Sequence, residues 1–186
     1  MHVAKKLTEM ALIKKLDRMN HEEMKKIIVD LYKFNKSVEE GICLQLLGED
    51  YGSALLEKYK KRIHKIFNPT NIVRKGFSLE SAQMVLLDFA KVCVNNNERW
   101  YGDLALYFTE CATEFIMSYG DMNEAFYDAL GDAYHDAVVA ASGDENLYKL
   151  WKNRLEQIVH EFSGFEWGME NFIVDEFYSI PWIEED

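Results

Sequence analysis

The chain has 186 residues, 48% of them hydrophobic, with ten glycines, two prolines and a net charge of −11. That length supports one sizeable core, so a single domain over residues 1–186 is expected, and so few prolines suit long helices. The acidic balance argues against a nucleic-acid backbone as partner, and no run approaches the ~18 apolar residues of a membrane span.

Charge is unevenly spread. Residues 1–75 carry 16 Lys and Arg against 10 Asp and Glu, and the remainder carries 5 against 22. Halves of opposite sign suggest contact with each other or with a second copy, because complementary potentials steer association. Cys43, Cys93 and Cys111 are odd in number and lie in apolar stretches, which reads as buried thiols in a reducing compartment. The start, MHVAKKLTEMALIKKL, lacks the continuous apolar core of a signal peptide. A cytoplasmic location is expected.

In chain order, Leu7, Met10 and Leu16 predict a short amphipathic helix over about 4–19. Asn20 and Glu23 form a capping signal for a second helix bearing Met24, Ile27, Ile28, Leu31 and Tyr32 at helical spacing. A shorter helix over about 38–47 stops at Gly48. Residues 50–67 are strongly periodic through Leu56, Tyr59, Ile63 and Phe67, with a basic outer face, and Asn68-Pro69 ends them. Residues 70–77 read as an irregular connection. Ser78 caps a helix running to about Val94, and Asn95-Asn96-Asn97 makes a polar break.

Residues 99–141 then read as two long helices joined by a tight turn at 118–121. Trp100, Leu104, Phe108, Cys111 and Phe115 share one face of the first; Phe126, Leu130, Ala133, Tyr134, Ala137 and Ala141 share one face of the second. Gly120 suits the left-handed end of a helix, and Asp121 with Glu124 offers a capping box. So short a connection predicts an antiparallel αα-hairpin. Ser142-Gly143-Asp144 reads as the next turn, followed by a helix through Leu147, Trp151, Leu155 and Ile158 that Gly164 closes. A last helix over about 166–178 stops before Pro181. The expected architecture is all-α, with about seven to eight helices in antiparallel hairpins forming a bundle or short stack. YKKRIHKI at 59–66 faintly echoes WKNRLEQI at 151–158, which a shared amphipathic pattern explains.

Four segments carry a resemblance: residues 16–40 (LDRMNHEEMKKIIVDLYKFNKSVEE), 58–67 (KYKKRIHKIF), 102–115 (GDLALYFTECATEF) and 120–134 (GDMNEAFYDALGDAY). In that order they resemble a family of small bacterial all-helical proteins known only as a domain of unknown function. The likeness covers roughly residues 7–168. It implies a single helical domain and brings no activity, cofactor or catalytic residue.

The sharpest chemical candidate is the hairpin. Asp103, Glu110 and Glu114 lie along one edge of its first helix beside Tyr107, and Asp128, Asp132 and Asp136 form an i, i+4, i+8 ladder on the second. Asp132-x-x-His135 has the spacing by which four-helix bundles hold metal ions, so Glu110, Glu114, Asp132 and His135 make an alternative metal set. At 100° per residue, however, Asp128, Asp132 and His135 fall opposite the apolar stripe, and bundle metals sit in the core. A ladder of like charges is more comfortable facing cations. Lys58, Lys61 and Lys65, on this chain or a second copy, are the expected counterpart. Among the dense C-terminal aromatics, Phe172 and Phe177 are expected in the core and Trp182 is a candidate partner contact. No nucleophile elbow, P-loop or dinucleotide fingerprint occurs.

The leading expectation is a non-catalytic interaction or adaptor module with a protein partner or self-association, no membrane partner and no cofactor. The alternatives are a metal-dependent protein using the hairpin carboxylates, and an acidic mimic of nucleic acid that binds a basic protein through residues 76–186.

Overall fold

The structure is a computed structural model that describes residues 6–69, 76–93, 98–164 and 168–183. Among these residues it is all-helical: α1 Glu9–Leu16, α2 His21–Phe34, α3 Lys36–Leu47, α4 Glu49–Phe67, α5 Leu79–Ala90, α6 Glu98–Tyr119, α7 Glu124–Gly143, α8 Glu145–Glu161 and α9 Met169–Tyr178. Each of the nine coincides with a stretch read as helical in the sequence, so the expected total of seven to eight was too low. The polar break at 95–97 and most of the irregular connection at 70–77 lie outside the described residues.

Local chemistry sets most of the boundaries. Thr8, Asn20, Asn35, Ser78, Asn123 and Asp144 each take an extended backbone before a helix and accept a backbone N–H of its first turn. At Asn20 the bond is reciprocal, since the Glu23 carboxylate accepts the Asn20 N–H at 3.0 Å. Gly120, at φ 88°, ends α6 in the left-handed region.

α1 ends at Leu16 and α5 at Ala90, short of the expected 19 and Val94, and two further boundaries around α7 differ from expectation. Asn123 caps α7 instead of Asp121, whose carboxylate accepts the Tyr127 hydroxyl at 2.6 Å. No loop separates α7 from α8, because α7 continues to Gly143 and Asp144 immediately caps its successor.

The core is organised on α6, which packs against α4, α5, α7 and α8. All five apolar residues expected on its inner face are buried, as are the six on α7. Phe67, Phe77, Phe108, Phe115 and Phe126 form an aromatic cluster with ring centroids 4.5 to 6.4 Å apart. Thr109 and Thr113 are fully buried, and each satisfies its hydroxyl on the carbonyl four residues back. At Gly102 three helices meet: a Cβ there would lie 2.6 Å from the Ala140 Cβ and 3.0 Å from Trp151 Cη2. Only hydrogen fits.

The two ends of the chain behave oppositely. Ile173, Phe177 and Ile180 are buried on the α7–α9 side, whereas α1 and α2 contain no buried residue. Phe172, expected in the core, stays 38% exposed.

Candidate functional site

The hairpin carboxylates are directed to three different places. Arg154 on α8 donates from Nε and Nη2 to Glu110 at 2.6 and 2.9 Å, and from Nη1 to Asp103 at 2.9 Å. Lys60 on α4 completes the cluster, 2.9 Å from the same Asp103 oxygen. Burial opposes the charge on Arg154, but the Glu110 hydrogen bonds and the two carboxylates outweigh it and raise its pKa. This is a clamp joining α4, α6 and α8.

His135 instead meets Glu176 of α9, Nδ1 to Oε2 at 2.8 Å, while Glu114 and Asp132 are exposed. Glu110, Glu114, Asp132 and His135 are therefore not brought together. Among the described residues no three His, Cys, Asp or Glu side chains are grouped to hold a metal ion. The reason is rotational: on α6 Glu110 points to α8, whereas on α7 Asp132 and His135 both turn toward α9.

The aspartate ladder also divides. Asp136 is half-buried and accepts the Tyr101 hydroxyl at 2.8 Å, which ties α7 to α6. Asp128 and Asp132 stay exposed, and with Asp121 and Glu124 they rim a groove of about 880 Å³ between α7 and the start of α9. Met122, Gly131, Met169 and Phe172 supply its apolar lining. Gly131 brings the two helices close, since a Cβ there would sit 3.2 Å from Phe172 Cε1. Glu124, Asp128 and Asp132 have no cationic partner among the described residues.

The basic face of α4 is partly consumed within its own neighbourhood. Lys58 donates to Glu40 of α3 at 2.6 Å, and the Tyr59 hydroxyl donates to the other oxygen at 2.7 Å. Glu40 is only 1% exposed. Burial by itself would raise its pKa, yet the bonds from Lys58 and Tyr59 hold the carboxyl below its ordinary 4.5. Lys61 and Lys65 remain exposed. No ion pair among the described residues joins Lys58, Lys61 or Lys65 to Asp128 or Asp132.

Trp182 turns toward its own chain. Its indole N–H donates to the Ala141 carbonyl at 3.0 Å, fastening the C-terminal segment to the end of α7. Burial pushes the Cys93 and Cys111 thiols up to about 12, which leaves them protonated and poor nucleophiles at neutral pH.

A further surface was not singled out in the sequence. Leu7, Met10, Ile13, Ile28, Leu31 and Phe34 lie between 49% and 88% exposed along α1 and α2. The stripe itself is legible from periodicity, but its exposure is not, because spacing shows that a helix has an apolar face without showing what lies opposite. α2 packs against α3 and leaves much of that face open. Compared with protein-family models, curated proteins and solved structures, the chain matches none.

Proposed function

We propose that the protein is a non-catalytic interaction module whose docking element is the N-terminal arm formed by α1 and α2. One observation carries the reading: both helices are capped by their own sequence, yet neither buries a residue, and each leaves large apolar side chains exposed. Ile28, Leu31 and Phe34, three residues apart in succession, make the exposed apolar stripe of α2 continuous, and such a stripe marks a contact site. The high-pKa thiols and the carboxylates taken up in the Arg154 clamp support a scaffolding role for the hairpin. Phe115 near Phe126, with Tyr101 reaching Asp136, supports an antiparallel arrangement of α6 and α7.

Magnitudes set the character of the contact. Covering a half-exposed aliphatic side chain contributes about 1 kcal/mol, so six contribute about 6 kcal/mol. Losing translational and rotational freedom costs roughly 4–15 kcal/mol. Apolar contact alone therefore gives weak, concentration-dependent association, and charge must add to it.

The test is sedimentation velocity over a concentration series with wild type and an Ile28→Asp, Leu31→Asp variant. The reading expects association to disappear in the variant while the unfolding midpoint of the body stays unchanged. Association unaffected by both charges would exclude the arm as the docking element.

A further inference from the structure

The arm and the groove complement one another in charge, apolarity and length. α1 ends in Lys14 and Lys15, with Arg18 just beyond, and all three are exposed without an ion-pair partner among the described residues. Met10 and Ile13 present apolar surface from the same short helix. The groove offers the reverse: an apolar lining of Met122, Met169 and Phe172 under a rim of carboxylates, of which Glu124, Asp128 and Asp132 have no cationic partner among the described residues. Glu124, Asp128 and Asp132 recur every four residues, so their row spans nine residues and about 12 Å of helix. α1, eight residues long, has about the same length. A helix of that length laid on the groove places its apolar stripe on the lining and its cations beside the rim.

No residue of α1 lines the groove in its own chain. We infer that the occupant is α1 of a second copy, with two chains exchanging arms about a twofold axis so that each groove is filled by the other chain's helix. This rests on the proposed role of the arm and adds the acceptor. Reciprocal exchange buries two copies of one interface, the arrangement that closes a dimer without exposing a further edge. Opposite charge on the rim speeds and orients the encounter and makes it salt-sensitive. It also accounts for an aspartate pair that is costly on an isolated helix.

Charge exchange between two variants tests it. One chain carries Lys14→Glu, Lys15→Glu and Arg18→Glu; the other carries Asp128→Lys and Asp132→Lys. All five positions are exposed, and circular dichroism with thermal unfolding checks that both variants fold. Native mass spectrometry then reads subunit number for each variant alone and for their equimolar mixture. The inference expects wild-type dimers, at least about tenfold weaker dimerisation of each variant alone because like charges then face each other, and a heterodimer restored on mixing. In that heterodimer both arm–groove contacts again pair opposite signs.

A mixture that stays monomeric overturns the inference, as does an Asp128→Lys, Asp132→Lys chain that dimerises as well as wild type. If that chain still associates while Ile28→Asp, Leu31→Asp does not, the arm is a docking element with a different acceptor, and only the groove assignment falls. A wild-type monomer at every concentration overturns the second copy as occupant, and binding of a basic peptide to that monomer would reassign the groove to a foreign partner.

Discussion

Arg154 and Glu110, forty-four residues apart, meet through two parallel hydrogen bonds of 2.6 and 2.9 Å. The pair is the geometric reason that Glu110 is a fastening between helices. Arg154→Ala leaves Glu110 and Asp103 half-buried on one edge of α6 without their guanidinium, a loss of about 2–3 kcal/mol for charged hydrogen bonds of this kind. Urea unfolding at neutral pH checks it. A Glu110→Ala, Arg154→Ala double variant should be less destabilised than the sum of the singles, because it removes both members of the pair while Asp103 keeps Lys60.

Gly102 is the closest approach of α6, α7 and α8. Gly102→Ala drives a methyl group into Ala140 and Trp151, neither of which is a flexible chain end. Overpacking at such a junction costs about 1–3 kcal/mol, against the usual gain from replacing a helical glycine. Thermal unfolding of this one variant decides which effect is larger, and a lowered midpoint is expected.

Acid stability should depend on Glu40. Its pKa is lowered by folding, so its contribution is present above about pH 4.5 and is lost as the pH falls through the folded value below that. Wild type and Glu40→Gln, unfolded in urea between pH 7 and pH 3, should differ in slope only at the acid end. Glu40→Ala is the harsher change, since it strands the buried Tyr59 hydroxyl, a group that costs about 1–3 kcal/mol unpaired.

Gly131 separates stability from binding. Gly131→Ala crowds Phe172, but that ring is partly exposed and has room to swing outward. The expected outcome is a body as stable as wild type or up to about 1 kcal/mol more so, from helix propensity. The displaced ring alters the groove, so self-association should weaken. Chemical unfolding and sedimentation on the same sample check both halves.

Much of the fold was legible because it is written in short-range chemistry. Asn20 with Glu23, Ser78 and Gly120 each mark a helix end by a local bond or dihedral preference, and the stripes on α6 and α7 follow from spacing. Asp121 misled because Asn123, two residues on, offers the same acceptor, and the choice is settled by Tyr127 taking the Asp121 carboxylate. The site was less legible. Asp128, Asp132 and Asp136 look equivalent along the sequence, yet only Asp136 meets a tyrosine from a neighbouring helix thirty-five residues away. The clamp cation, Arg154, had no local signal at all. Which face of a helix meets another is a long-range property, and periodicity carries none of it.

The uncovered arm also sets how the molecule breathes. α1 and α2 have eight and fourteen residues, lengths at which a helix with as little tertiary cover as these is marginal in water. Their amides should therefore open by local fraying at a small fraction of the global unfolding free energy, whereas those of α6 open only with the whole core. Hydrogen exchange in residues 24–34 becomes a gauge of assembly: fast in dilute solution, slowed with rising protein concentration, and unmoved in a chain whose arm has nowhere to dock.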